Sequence, residues 1–380
     1  MSLYAYKLFY PQDERVLPFG GSEVQQYQLG KELVKDKNFE VSFLVGDFYD
    51  GQPESERVMV DGGVLTLYKT ARCQGRNMFI DGAADFWRLY RAIKKISADV
   101  YMIRGGGSLA GKVAFFAKKI FKKKFIYSSA HDRDSNLDFF REKPWYVNAL
   151  FRYALRNANV VICQHKEQQG AFQKNFGITA TVIPSMYIVE DELQIGRWGS
   201  REYILWVGRL IEWKQPEIFV RLAEKFPKEK FLLITNSNAS QFKNIVNKIS
   251  NLEIKEDVPF EDMDYYFKKA KVFVNTSSSE GFPNTFLQAA KNKTPVISLQ
   301  VNPDEMLEKY QIGRCANGSF YKLSNDLAEI LGNDLLWQTM SENAYHYAKK
   351  NHDINTVVRE YKDIFRGLIS KKYHNEISHS

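Results

Sequence analysis

Tyr203-Ile204-Leu205-Trp206-Val207-Gly208-Arg209-Leu210-Ile211-Glu212-Trp213-Lys214 sets how the rest of the chain is read. Five apolar residues run without polar alternation, as in a strand buried on both faces of a parallel sheet. The run stops at Gly208, and Arg209 and Lys214 follow five residues apart in the next loop. A glycine lets a ligand approach the backbone, Arg offers a planar two-pronged donor and Lys a point charge, which together suit a diphosphate. Solvated loop cations would give the same letters, so this stretch needs its surroundings.

Those surroundings repeat the pattern. Downstream, apolar runs at Lys230–Thr235, Leu252–Glu256, Val272–Asn275, Pro295–Ser298 and Arg314–Ala316 alternate with amphipathic stretches at Gln215–Lys225, Ala239–Ser250, Glu261–Lys269 and Asn284–Asn292. Upstream, the strand candidates are Ala5–Tyr10, Val41–Val45, Val64–Tyr68, Val100–Ile103, Phe125–Ser128 and Val160–Cys163. Helix candidates between them are Ser22–Lys35, Asp81–Ile96, Leu109–Phe121, Pro144–Arg156 and Lys166–Asn175, with Ser22 expected to cap the first. The alternation predicts an α/β fold of two tandem Rossmann-like, doubly wound domains facing a central cleft. The expected divisions are residues 1–186, a linker at 187–201, a second domain at 202–352, and a helix and tail at 353–380. The terminal amphipathic stretch, Asp353 to Tyr373, is expected to cross back to the first domain.

A chain of 380 residues has room for two such cores. Its net charge of +8 sits entirely in residues 1–185, which hold 27 Lys and Arg against 19 Asp and Glu; residues 186–380 hold 26 of each. An anionic membrane or a phosphorylated substrate explains that asymmetry better than nucleic acid, since no helix-turn-helix, zinc finger or aromatic RNA platform can be read. The opening strand-like run from Tyr4 to Tyr10 leaves no room for a secretory leader, and no apolar stretch approaches the 18 or so residues of a membrane span. Cys73, Cys163 and Cys315 are too scattered for a disulfide framework or a zinc cluster. A cytoplasmic location follows, with the inner face of the membrane as an option.

The second informative stretch is Ser277-Ser278-Ser279-Glu280-Gly281-Phe282-Pro283-Asn284, which opens a helix carrying Gln288. A carboxylate before a glycine turn, leading to a helix N-terminus, brings backbone N–H groups and a positive dipole end to an anion or a sugar hydroxyl. Glu280 would equally well favour the helix dipole alone.

Together with Gly20-Gly21 opening the first helix and His131-Asp132 after a mid-domain strand, these motifs resemble the group 1 (family 4) glycosyltransferases of GT-B fold. The resemblance spans nearly the whole chain. It implies that Arg209 and Lys214 neutralise the donor diphosphate in place of a metal. Glu280 would be the first carboxylate of the family's Glu-x7-Glu motif and lie against the donor sugar, with the backbone of Gly281, Phe282, Pro283 and Asn284 on its hydroxyls. Gly20, Gly21 and Gly208 would border the phosphates, and His131 would stand near the reacting sugar. Catalytic roles therefore fall to His131, Glu280, Arg209 and Lys214. Family members of this type retain anomeric configuration without a settled protein nucleophile. Two departures stand out. The second glutamate, which usually holds the ribose, is Gln288, whose amide makes a bond roughly half as strong as a charge-assisted one. Ile183-Pro184-Ser185-Met186 replaces the commoner Pro-Asn-Gly and bears on the hinge.

Three further features carry weaker expectations. Asp132-x-Asp134 resembles a metal pair, but two cations on the donor make a metal unnecessary, so neither metal nor cofactor is expected. Gly105-Gly106-Gly107-Ser108 lacks phosphate-loop spacing and reads as close packing or an acceptor wall, with Arg104 and Gly105 on the acceptor side. Lys118, Lys119, Lys122, Lys123 and Lys124 crowd one helix end, either as solvated charges suited to the dipole or as a contact with anionic lipid. The function expected is metal-independent, retaining transfer from a nucleotide diphosphate sugar to a glycan or lipid-linked acceptor, in envelope polysaccharide or glycolipid (lipopolysaccharide-type) synthesis. A nucleotide-sugar epimerase and a non-catalytic sugar-nucleotide-binding relative are the alternatives.

Overall fold

The computed structural model describes residues 5–10, 19–47, 54–72, 78–191, 198–246 and 248–377. The chain forms two units: residues 1–185 together with 355–380, and residues 186–354.

The second unit is built on six strands: β8 (Tyr203–Val207), β9 (Phe231–Thr235), β10 (Leu252–Glu256), β11 (Ala270–Asn275), β12 (Val296–Ser298) and β13 (Gly313–Cys315). All pair in parallel in the order β10-β9-β8-β11-β12-β13. Numbered from the unit's first strand this is 3-2-1-4-5-6, the doubly wound order whose chain reverses direction between β8 and β11. β8 is apolar throughout and β11 from Val272 to Val274, because both faces are covered there. Ile204, Trp206, Val272 and Val274 pack one face with Phe219, Leu323 and Trp337. Helices Phe320–Leu331 and Asp334–His352, which the strand-and-helix count from sequence does not reach, complete that layer.

The expected linker is part of this unit. Tyr187 bridges Asp353, and Arg201 is buried at 5% exposure. Its guanidinium donates to the carbonyls of Phe267, Ala270, Asn292 and Lys293 and to Thr294 Oγ1, all at 3.1–3.2 Å. Burial pulls its pKa down to about 10. An arginine at the unit's edge thus ties helix ends to the sheet.

In the first unit the strands fall into two sheets. β4 (Val100–Arg104), β5 (Lys124–Ser128), β6 (Val160–Cys163) and β7 (Thr181–Val182) form a parallel sheet in that order. β1 (Ser42–Asp47) and β3 (Gly63–Arg72) pair in parallel, and β2 (Ser55–Val60) adds antiparallel to β3. The strand β2 is absent from the strand candidates above. Asp61 and Gly62, both at positive φ, make the tight turn that joins it to β3, and an Asp-Gly pair is the strongest short hairpin signal. The helix Ile354–Ile377 belongs here as well: Lys362 and Arg366 reach Asp36 at 2.9 and 3.2 Å, and Phe365 meets Phe39 edge-on.

Several sequence expectations are corrected. Ala5–Tyr10 is not a strand; Tyr6–Phe9 is a helical turn whose Tyr6 and Tyr10 rings lie 4.8 Å apart over a core of Phe43, Val45, Leu65 and Leu67. A short apolar run does not distinguish the two forms. Ser22 does not cap the first helix (Gly21–Leu33): Gly20 does, donating its N–H to Glu23 Oε2 at 3.0 Å. The helix expected to Phe121 ends as α-helix at Ala114 and continues as a π-turn, Phe115–Ile120. The helix expected to Ser250 spans Ser240–Val246. Cys163 and Cys315 are buried, and Cys73 lies outside the described residues. No helix among the described residues is long and apolar enough to cross a membrane.

Candidate functional site

The direction reversal between β8 and β11 opens a crevice at the C-terminal ends of two neighbouring strands, and in open α/β sheets that is where ligands bind. The two stretches singled out from sequence leave the sheet at this point. After β8 come Gly208, Arg209 and a 3-10 turn, Glu212–Lys214; after β11 come Thr276 to Pro283 and then the helix Asn284–Lys291.

Lys214 and Glu280, 66 residues apart, meet here: Nζ donates to Oε1 at 2.5 Å. Their side chains are 16% and 15% exposed. The same carboxylate oxygen accepts from Ser277 Oγ at 2.7 Å and Asn275 Nδ2 at 3.2 Å. Burial pushes the Glu280 carboxyl up, but the charge of Lys214 and these three hydrogen bonds outweigh it and hold the group below its ordinary value. Glu280 is therefore held as an anion, with the Lys214 ammonium fixed against it.

The loops themselves are stapled. Thr276 Oγ1 donates to the Lys214 carbonyl at 2.6 Å and accepts from Trp206 Nε1 at 2.8 Å, while the Ser278 amide donates to the Trp213 carbonyl at 2.8 Å. Gln215, next in line, takes a left-handed conformation (φ 46°) before Pro216 starts the following helix. Gly208 is demanded by packing as much as by any ligand, since a Cβ there would stand 2.9 Å from the Trp206 ring. Asn275 and Thr276 build the site with Ser277 although sequence reasoning gives those two no part in it; their signal is a run of small polar residues where a buried strand ends.

The remaining sequence candidates in this unit divide by exposure. Arg209 is exposed, and its guanidinium has no partner among the described residues. Gly281, Phe282 and Pro283 are buried, Phe282 lying 5.0 Å from the His352 ring. Asn284 is the first helical residue, after Pro283 as cap. Gln288 is 6% exposed, and its side-chain amide has no hydrogen-bond partner among the described residues. That amide sits one turn inside the helix that begins beside Glu280.

The first unit gathers its own candidates around one carboxylate. Asp134, 4% exposed, accepts through Oδ2 from the amides of Ala130 (2.9 Å) and His131 (3.2 Å) and from Ser129 Oγ (3.2 Å). His131 caps the turn Asp132–Ser135, its Nδ1 accepting from the Arg133 amide at 3.2 Å. The tautomer is therefore the one protonated at Nε2. Asp132 is engaged elsewhere, its Oδ1 on His165 Nε2 (2.9 Å) and Gln168 Nε2 (3.1 Å). The two aspartates thus organise separate parts of the loop.

Gly106 packs against this turn; a Cβ would stand 2.6 Å from Asp134 Oδ1 and 3.1 Å from the Phe151 ring. Gly105 donates its amide to the Ser128 carbonyl at 2.9 Å. Arg104 turns toward the protein. Its Nη1 meets Ser128 Oγ at 3.3 Å and its Nη2 the Gln164 amide oxygen at 2.9 Å. Burial holds the Tyr361 phenol above its ordinary value, against the opposing pull of Arg104 and Ser128 beside it. Of the lysine run, Lys118 donates to Asn159 Oδ1 (2.9 Å) and Lys123 to Ser97 O (3.3 Å), while Lys119, Ile120 and Lys122 are exposed.

Known proteins share this family signature and this fold. Residues 201–333 match the family model described as glycosyl transferases group 1, and residues 19–187 the one described as glycosyltransferase family 4. An uncharacterized glycosyltransferase of Methanocaldococcus jannaschii is 23% identical over 92% of this chain and 96% of its own length. Sucrose-phosphate synthase from Thermosynechococcus elongatus superposes with a TM-score of 0.77 at 16% identity, covering 93% of this chain and 94% of that one. An Anabaena protein, HepE, in complex with UDP gives 0.64 at 16% identity, with 92% and 96% covered. The structural likenesses carry the fold, which is GT-B.

Proposed function

The chain belongs to the group 1 glycosyltransferases, which transfer a sugar from a nucleotide sugar, and we propose that its donor is held at the β8/β11 reversal by the Lys214–Glu280 pair. That pair carries the reading: an anion and a cation, fixed by two stapled loops, at the edge where such sheets take ligands. Arg209 and the remaining donors of Lys214 face the diphosphate. Glu280, acceptor-only when ionised, takes donor-sugar hydroxyls. The N-terminus of helix Asn284–Lys291 adds backbone N–H groups and its dipole. Gln288 takes a ribose hydroxyl through its unspent amide.

Charge develops on the diphosphate as the glycosidic bond breaks. Arg209 and Lys214 stabilise that charge, and interactions stronger in the transition state than in the ground state are those that accelerate the step. Two cations supply what a divalent metal would supply, so transfer is metal-independent in this reading; retention of anomeric configuration is taken from the family likeness alone. Asp134 holds the His131 loop for its part near the reacting sugar. The acceptor is a glycan or lipid-linked glycan taken by the first unit, and exposed Lys119, Ile120 and Lys122 support peripheral contact with anionic lipid.

Thermal unfolding against UDP, GDP, ADP and their sugars, with EDTA and then with Mg²⁺, tests the donor site. One nucleotide should stabilise the chain progressively, by about 2.7 kcal/mol at a hundred times its Kd, with EDTA present. A shift that appears only with Mg²⁺ would overturn metal independence, and no shift with any nucleotide would overturn the donor site.

A further inference from the structure

The helix Met78–Ile96, the ends of β1 and β3, and Glu54 just before β2 line an open cavity of about 740 Å³ that the donor reading leaves without a role. That volume lies in the range of small-ligand sites. Asp47, the last residue of β1, and Thr70, near the end of β3, line it, so it opens at the C-terminal edge of that parallel pair.

The helix side is aromatic and cationic. Trp87 is 60% exposed, and its indole stacks on Tyr90 with centroids 5.1 Å apart and planes 22° from parallel. A large flat ring is thus held in place while one face stays open. Around it the cavity is lined by Lys69, Arg88, Arg91, Lys94 and Lys95 against only Asp47 and Glu54. Arg91 and Lys95 share Glu54, at 2.8 and 3.9 Å. Arg88 and Lys94 have no side-chain partner among the described residues.

We propose that this cavity binds an anionic saccharide, with Trp87 under a pyranose face and Arg88 and Lys94 on carboxylate, sulfate or phosphate substituents. The C–H face of a pyranose is apolar and matches an indole, and a planar guanidinium matches an oxyanion. A neutral sugar would leave the cations unused, and a flat lipid surface would not enter a concave wall. As a saccharide site the cavity stands by itself; as the acceptor site it rests on the transferase reading.

The test is calorimetric titration with hexameric oligogalacturonate and with sulfated and phosphorylated oligosaccharides of similar length. Maltohexaose, inorganic phosphate and phosphatidylglycerol vesicles serve as comparators. At least one anionic oligosaccharide should bind more tightly than maltohexaose and phosphate, and more weakly as salt rises. Trp87→Ala and the double variant Arg88→Ala/Lys94→Ala should each weaken that binding by about tenfold or more, as truncating a central anchor does. Their melting temperatures, measured alongside, establish that they fold. Failure of every anionic oligosaccharide to bind, maltohexaose binding equally well, binding unchanged in both variants, or vesicles alone binding through Trp87 would each overturn the proposal. Nucleotide titrated into the same preparation reports separately on the donor site, so either reading can fail while the other stands.

Discussion

Lys214→Ala removes the cation from a carboxylate that is itself 15% exposed. Glu280 keeps Ser277 Oγ at 2.7 Å and Asn275 Nδ2 at 3.2 Å, so it loses one charged partner of three. Breaking a fully buried pair costs about 3–5 kcal/mol, and a single hydrogen bond to a charged group contributes about 1.5–3. With two donors left and some water access, the loss here should be about 2–3 kcal/mol at pH 7.5. It should also depend on pH in a definite sense. In the native chain the Glu280 pKa is depressed, so its stabilisation is complete above the usual value of 4.5 and fades as pH falls through the depressed value. Without Lys214, burial still pushes the pKa up against only the Ser277 and Asn275 hydrogen bonds, so it lies above the native one; the charged form then contributes less stability at neutral pH, and the gap closes as the group protonates. The difference between variant and native chain should therefore shrink between pH 7.5 and pH 4.5. Urea unfolding at both values measures it, and a Glu280→Gln background should reduce the cost of Lys214→Ala by about 1.5 kcal/mol or more. Turnover should fall about a hundredfold or more. A cost identical at both pH values, with coupling under about 0.5 kcal/mol, would refute the pair as described.

Arg201→Lys should destabilise the second unit by about 3 kcal/mol, because an ammonium offers three donors where the guanidinium makes five bonds; calorimetric melting reads this. Gly106→Ala should cost about 1–3 kcal/mol by driving a methyl into Asp134 and Phe151, again read by melting. Gly170→Ala, on an open helix face, should gain about 0.5–1 kcal/mol in the same measurement. Gln288→Glu should lower the melting temperature of the nucleotide-free chain by burying a carboxylate with no partner, and tighten nucleotide binding several-fold by charge assistance; titration with the nucleotide that stabilises the native chain checks the second half.

Much of the donor site is legible in the sequence. Lys214 and Glu280 both stand out there, because each follows a buried strand that ends abruptly, and such ends lie at the ligand edge of a parallel sheet. Their direct contact is not legible, since it depends on β8 and β11 being neighbours although β9 and β10 lie between them in the chain. The same holds for Arg104, whose position at the end of β4 suggests a ligand contact until Ser128, Gln164 and Tyr361 are found around it. The cavity beside Trp87 escapes sequence reasoning for a related reason: its cations come largely from one helix, but its walls come from β1, β3 and Glu54 as well.

Local sequence, then, determined the elements: which runs are buried on both faces, where glycine or Asp-Gly breaks a strand, and where a helix N-terminus follows a carboxylate. These are effects of neighbours along the chain, and periodicity records them. Tertiary structure alone decided which strand ends adjoin, that Tyr6–Phe9 is a turn of helix, and that Tyr187 and Arg201 are buried in the second unit. Each of those outcomes is set by burial against residues distant in the chain, and hydrophobic burial is non-directional: it favours the contact without encoding the partner in the local letters.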